Sequence, residues 1–228
     1  MKSIIYIDGF NLFYGCLKHS KDKWLDLQKL FFDQILLAQS PSSELIKIKF
    51  FTANILAKVA SHGQNAQIAQ QSYHRALLEL YPDTIQIIKG YYNLEKAKLL
   101  TYQVPPCKNH RVSVWKLEEK QTDVNIALEA YRDVAKNKIE QLVFVTNDSD
   151  LAPALLAIRE DFNKNIKMGL IIPARKPTGK KTHRPANQQL GKYADWTRKH
   201  ITDNELTNVH LPEKIPTRKK PIVKPHYW

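Results

Sequence analysis

The sequence predicts an α/β protein in which a mainly parallel central sheet carries helices on both faces. Short apolar, β-branched runs such as Ile4-Ile5-Tyr6-Ile7 and Leu142-Val143-Phe144-Val145 have the unbroken hydrophobicity of strands covered on both sides. Segments with apolar residues at helical spacing lie between such runs. The two kinds alternate along the chain, and that alternation closes a parallel sheet through right-handed crossovers. With 228 residues, 43% hydrophobic and 25% charged, the chain is long enough for a sizeable core and too apolar for a disordered one.

Taken in order, Ser3 to Ile7 is the first strand, ended by Asp8-Gly9, and Phe10 to Leu17 follows with helical spacing. Asp26 to Leu37 is a stronger helix, with Leu27, Leu30, Phe31 and Ile35 on one stripe, and Ser40-Pro41 stops it. Leu45 to Phe51 alternates as a strand, His62 to Leu80 is helical, and Thr84 to Lys89 is a third strand. Leu99 to Val104 and Arg111 to Leu117 flank Pro105-Pro106 and suit a hairpin. Asp123 to Val134 is a helix whose buried side is expected to be Val124, Ile126, Ala127, Ala130 and Tyr131. A strand at Leu142 to Val145, a helix at Leu151 to Ile158 and a strand at Ile166 to Ile172 complete the rhythm. A basic loop over 173–186, an amphipathic helix around Gln188 to His200 and an extended or disordered Pro/Lys-rich tail from Pro212 are expected to follow.

Charge and cysteine content narrow the function classes. The formal net charge is +13, but residues 173–228 hold 13 Lys+Arg against 4 Asp+Glu, while the preceding 172 hold 22 against 18. A basic final quarter on a nearly balanced body is the footprint of a polyanion partner, or merely a solubilising tail. Cys16 and Cys107 are too few for a disulfide framework and fit free thiols in a reducing cytoplasm. No apolar run approaches the roughly 20 residues needed to cross a bilayer, and Asp8 and Asn11 interrupt the N-terminal run before a signal-peptide core forms.

Ligands of a parallel sheet sit at the carboxyl ends of its strands, above all where strand order reverses. Two buried strands end there in acidic turns, Asp8-Gly9-Phe10-Asn11 and Thr146-Asn147-Asp148-Ser149-Asp150, and Asp123 opens the intervening helix. Any one of these acids alone is explained by helix capping. If the two strands are neighbours, Asp8, Asp148 and Asp150 share one edge with Asp123 in reach, and grouped carboxylates need a compensating cation. Oxygen ligands select Mg²⁺ or Mn²⁺ over zinc.

At these residues the chain resembles the NYN domain, a PIN-like nuclease family, in its LabA-like branch. The matching segments are Ile7-Asp8-Gly9-Phe10-Asn11-Leu12, Glu118-Glu119-Lys120-Gln121-Thr122-Asp123-Val124 and Thr146-Asn147-Asp148-Ser149-Asp150-Leu151-Ala152-Pro153, with a weaker match at Gly169 to Pro173. The resemblance implies a three-layer PIN-like, Rossmann-like sandwich with strand order 3-2-1-4-5. It also implies one domain over residues 1–210 with a basic tail over 211–228, a divalent-metal site and endonuclease activity, on RNA in preference to DNA. By position, Asp8, Asp123 and Asp148 would be the catalytic, metal-binding carboxylates and Asp150 a fourth metal ligand. Asn11, Thr146 and Asn147 would support them. A homodimer suits the class, but no residue demonstrates one.

An anionic substrate needs cations beside these acids. The candidates are Lys120, Arg111 on the expected hairpin, and Arg175, Lys176, Lys180, Lys181 and Arg184 after the last strand, with solvated lysines as the plain alternative. Tyr91, Tyr92 and Trp115 are of a type that stacks on unpaired bases, although a core role is expected for Trp115. Cys107 and His110 lack a second pair with zinc spacing, and no GxxxxGK[ST], GxGxxG or GxSxG motif occurs. The leading expectation is a Mg²⁺- or Mn²⁺-dependent endoribonuclease. A non-catalytic RNA-binding module and a metal-dependent phosphatase or nucleotidase remain the alternatives.

Overall fold

The computed structural model describes residues 1–136, 138–162, 165–176 and 187–228. The expected order is present at its centre and extended at both edges. Strands β1 (Lys2–Asp8), β2 (Glu44–Ala53), β3 (Ile85–Leu100), β4 (Arg111–Lys120), β5 (Gln141–Val145), β6 (Lys167–Ile171) and β7 (Trp196–Arg198) form one sheet ordered β4-β3-β2-β1-β5-β6-β7. Only the β3–β4 pair is antiparallel. The five strands expected from the sequence therefore keep their 3-2-1-4-5 order, with β4 and β7 added outside them.

Alternation along β1 explains the three layers, because successive side chains point to opposite faces. Ile5 and Ile7 face a core with Leu12 of α1 (Gly9–Leu12) and with Tyr73 and Leu77 of α3 (Gly63–Leu80). The same core takes Leu30, Phe31 and Ile35 from a π-helical stretch, Lys29–Leu36, which runs on into α2 (Leu37–Gln39). Ile4 and Tyr6 face the other core, with Ile126 and Ala130 of α4 (Thr122–Lys136) and Leu155 and Ile158 of α5 (Ala152–Phe162). The buried stripe of α4 is Ile126, Ala130 and Val134, whereas Val124 and Tyr131, expected inside, are exposed. The stripe is rotated so that Asp123 can face the sheet edge.

A buried charge cluster fixes α4 on the sheet. Lys49 of β2 is buried and lies 2.6 Å from Glu129 and 2.5 Å from Asp133, while the Tyr6 hydroxyl donates to Asp133 at 2.7 Å. These contacts set the register of the helix whose first turn carries Asp123.

Three further elements depart from the sequence reading. The third strand runs on past Lys89 to Leu100, so the expected third strand and first hairpin arm are one element. The strand passes through Gly90, on which the β4–α4 turn presses. A Cβ there would collide with the Lys120 carbonyl and the side chains of Glu119 and Thr122. Around 188–200 only α6 (Gln188–Gly191) is helical, and Trp196 instead starts β7 with its indole lying flat on Gly169. Sheet pairing by an aromatic edge residue overrides the helical period there.

Beyond α7 (Asp203–Thr207), the C-terminal segment is folded: β8 (Lys214–Ile215) pairs with β9 (Ile222–Val223). Trp228 packs on Trp24 and Tyr73, and Trp24 Nε1 donates to the Pro212 carbonyl at 3.0 Å. Both cysteines are free thiols, and no helix among the described residues is long and apolar enough to cross a membrane.

Replacing Lys49 with Met leaves Glu129 and Asp133 without their buried cation. The substitution is expected to lower the unfolding free energy by roughly 3 kcal/mol in urea titration. A loss under about 0.5 kcal/mol, typical of a surface substitution, would show that the cluster does not hold α4 in place.

Candidate active site

Parallel pairing of β1 with β5 aligns Ile7 with Val145, so the two strands deliver Asp8 and Thr146 side by side. Asp8 is 2% exposed. Its Oδ1 accepts the backbone N–H groups of Phe10 and Asn11 at 3.0 and 2.9 Å, which caps α1. Its Oδ2 accepts Asn11 Nδ2 at 2.6 Å and the Thr146 hydroxyl at 3.0 Å. Burial raises the Asp8 pKa and the Asp148 charge adds to the rise, while the Asn11 and Thr146 hydrogen bonds oppose it.

The β5 turn is tied into the same network. Thr146 Oγ1 accepts the Asp148 N–H at 3.1 Å, and the Asn147 N–H donates to Asn11 Oδ1 at 3.3 Å. Asn147 Oδ1 accepts the Asn187 N–H at 2.8 Å, linking the turn to the chain just before α6. Asp148 Oδ1 caps the next turn by accepting the Asp150 N–H at 3.1 Å. Capping thus does not exclude a site role for Asp8 and Asp148, since each caps a turn at the edge that the sequence singled out. Beside Asp150 a depression of about 520 Å³ opens, with Ser149, Pro153, Gln189, Lys192 and Tyr193 in its walls.

Asp123 arrives from the third side. Gln121 adopts a left-handed φ of 77° to turn the chain from β4 into α4. That conformation is uncommon without glycine and marks a turn held by its surroundings. Glu119 accepts from the Thr122 N–H at 3.1 Å and from its hydroxyl, which pins the start of the helix. Asp123 is half-buried, and its pKa is pushed up to about 6 by burial first, then by the charges of Asp8, Asp148, Glu119 and Asp150. Glu119 belongs to this electrostatic group but was not among the residues singled out in the sequence. Its signal was its place three residues before Thr122, from which a carboxylate can reach forward to an unsatisfied N–H of the first helical turn.

Several expected substrate cations are committed to protein partners. Lys120 lies 2.6 Å from Glu118, and Arg111 donates to the carbonyls of Lys108 and Lys98 at 3.2 and 2.9 Å. Arg175 is held by Asp22, by Asp203 at 2.6 Å and by the Cys16 carbonyl at 2.8 Å. Lys176 is exposed, and Lys180, Lys181 and Arg184 lie outside the described residues.

The donor set fits a hard divalent cation in chemistry, being carboxylates and a hydroxyl. Among the described residues, however, no group of three or more His, Cys, Asp or Glu side chains stands close enough to hold a metal ion. Asp8 has all four lone-pair positions engaged, so it would join a metal only by releasing one of its donors.

This edge and its sheet place the protein in the PIN-like α/β class. The chain belongs to the NYN domain family, whose pattern matches residues 2–186, and that family is nuclease-like. Over an alignment of 249 residues covering all of this chain and 75% of the relative, it is 40% identical to 6-hydroxy-3-succinoylpyridine 3-monooxygenase HspA of Pseudomonas putida. A solved structure from Vibrio parahaemolyticus, VPA0982, a protein of unknown function, is similar with a TM-score of 0.49 at 15% identity, over 89% of this chain and 94% of that one.

Because Asp123 is raised in the folded chain, its protonated form stabilises the fold at low pH, and that contribution is lost as pH rises through about 6. Asp123→Asn in chelator is therefore expected to raise stability at pH 8 by about 1–2 kcal/mol, a figure discounted for solvent screening of a half-exposed group. At pH 4 it should give no gain. Equal effects at both values, read by thermal melts, would show that Asp123 does not carry a raised pKa in the folded chain.

Proposed function

We propose that this chain is a Mg²⁺- or Mn²⁺-dependent endoribonuclease acting at the edge that carries Asp8, Asp123, Asp148 and Asp150. The observation that carries the reading is the gathering of these charges around Asp123, whose pKa is pushed up to about 6 by burial first and then by Asp8, Asp148, Glu119 and Asp150. A site that stores unbalanced negative charge beside a polyanion's path has use for a cation between the two. Asp123, Asp148 and Asp150 would hold the metal by drawing closer together than they stand in this structure, and Asp8 would join them by giving up Thr146 or Asn11. The metal would supply Lewis acidity at the scissile phosphate and lower the pKa of the attacking water.

The residues of the chain then have separate tasks. Thr146 and Asn11 align Asp8 and favour its charged form, since their hydrogen bonds oppose the effect of burial. Asn147 ties the Asp148 turn to Asn11 and to residue 187, and so holds the acids in register. Above about pH 6 Asp123 is charged and ready to bind a cation. RNA rather than DNA is the substrate that the resemblance to NYN domains implies.

The 40% identity along the whole chain favours a second reading, in which this chain shares the oxygenation named for the Pseudomonas relative. The two separate cleanly by assay. Purified protein is incubated with single-stranded RNA, duplex RNA and DNA, each with Mg²⁺, Mn²⁺ or EDTA, and in parallel with 6-hydroxy-3-succinoylpyridine, oxygen and a reductant. Cation-dependent RNA cleavage that falls to background in Asp148→Asn is the expected result. Cleavage that survives in Asp148→Asn would point to contamination, and consumption of the pyridine with no cleavage would replace the nuclease reading with the second.

A further inference from the structure

β2 pairs with β3 only as far as Gly90, and from Tyr91 outward β3 has β4 alone for a partner. The result is a two-stranded ribbon of ten paired positions standing beyond the sheet, from Tyr91 opposite Lys120 to Leu100 opposite Arg111. Alternation gives it two faces of different character. On one, Glu118 draws in both Lys116 and Lys120, and Glu95 accepts from Asn93 at 3.1 Å, so its charges are largely paired. The other carries Tyr92, Leu94, Lys96 and Lys98 opposite Glu119, Leu117, Trp115 and Ser113.

That second face is built unlike an ordinary solvated strand. Trp115 is 65% exposed, the reverse of the core role expected from the sequence, and the Lys96 ammonium lies 5.8 Å from its ring centroid. Lys96, Lys98, Ser113 and Trp115 border a shallow concavity of about 420 Å³. Residues 96–116 contain five Lys or Arg and no Asp or Glu, so no acid of the outer ribbon neutralises Lys96 or Lys98. The root of the same face touches the acidic edge: Tyr92 packs edge-on against Phe10 with centroids 5.6 Å apart, and Glu119 contributes to the raised pKa of Asp123. At about 3.4 Å per residue, Trp115 stands roughly 14 Å from Glu119 along the strand.

We propose that this ribbon face is a binding track for a single-stranded polynucleotide, leading from Trp115 and Lys98 to the acidic edge. An exposed aromatic flanked by unneutralised lysines is the chemistry that grips unpaired bases and their backbone. Duplex RNA fits poorly, because its deep, narrow major groove does not admit such side chains. The direction of the track rests on the nuclease reading, but its existence does not, since binding can be measured with cleavage switched off.

The test uses the full chain in EDTA and follows fluorescence anisotropy of a labelled uridine-rich oligonucleotide, its thymidine DNA counterpart and an RNA duplex. Trp115→Ala is expected to weaken single-strand binding roughly tenfold or more, with Trp115→Phe restoring most of it. Lys98→Glu should weaken binding and flatten its salt dependence, whereas Lys116→Ala, on the opposite face, should change little. Preference for the RNA over the DNA strand would assign the physiological polymer, and equal binding would assign single strands of either kind. Unchanged affinity in both Trp115→Ala and Lys98→Glu overturns the track. So does sedimentation showing that Trp115→Ala dissolves a homodimer while leaving nucleic-acid affinity intact. Binding that depends on the ribbon without any cleavage in Mg²⁺ or Mn²⁺ would sink the nuclease reading and leave the track standing.

Discussion

The structure turns on one buried carboxylate. Asp8 sits at the end of the central strand, sealed from water, and takes four hydrogen bonds from Phe10, Asn11 and Thr146. Leaving such a group unpaired would be costly, so the donors must all be in place when the chain is folded. Two of those donors start α1, one belongs to the Asn11 side chain, and one comes from the neighbouring strand. Satisfying Asp8 therefore fixes the first crossover, the β1–β5 alignment and the turn that presents Asp148 and Asp150. The acidic edge follows from the bonding needs of its most buried member.

The edge and the ribbon express the same electrostatic division at different scales. The chain as a whole is strongly basic, yet at the reversal point of its sheet burial, and after it the neighbouring acids, raise Asp123. The outward ribbon face has the opposite sign and an exposed aromatic. A polyanion drawn to the basic ribbon would approach carboxylates that need a cation, and a divalent ion satisfies both surfaces at once. Two of the arginines expected beside the substrate, Arg111 and Arg175, make contacts within the fold. Their forked donors find backbone carbonyls or paired acids, contacts that residue type and position in the chain do not reveal.

Much of the fold was legible because each central strand is a continuous apolar run and each long helix a clear stripe. Asp8, Asp123 and Asp148 were legible because strand ends and helix starts in a parallel sheet have known places. What escaped were features decided by contacts distant in sequence. The third strand was read as ending at Lys89, because the turn that packs on Gly90 beyond it comes some thirty residues later. Trp196 read as helical because its partner is Gly169 across the sheet edge. Trp115 read as core because composition does not show that β4 has only one neighbour. Glu119 passed as one of two adjacent acids until the structure turned it toward Thr122 and left Glu118 to the lysines.

The central claim is that the acids of this edge hold a repulsion that a divalent cation relieves. Thermal melts of the full chain at pH 7.5, with and without Mn²⁺, test it most directly, because a ligand that binds only the folded state raises the melting temperature. The account predicts a saturable rise for the natural sequence that is lost in Asp148→Asn and reduced when Asp123 is protonated below about pH 6. A melting temperature indifferent to Mn²⁺, or raised equally in Asp148→Asn, would contradict it.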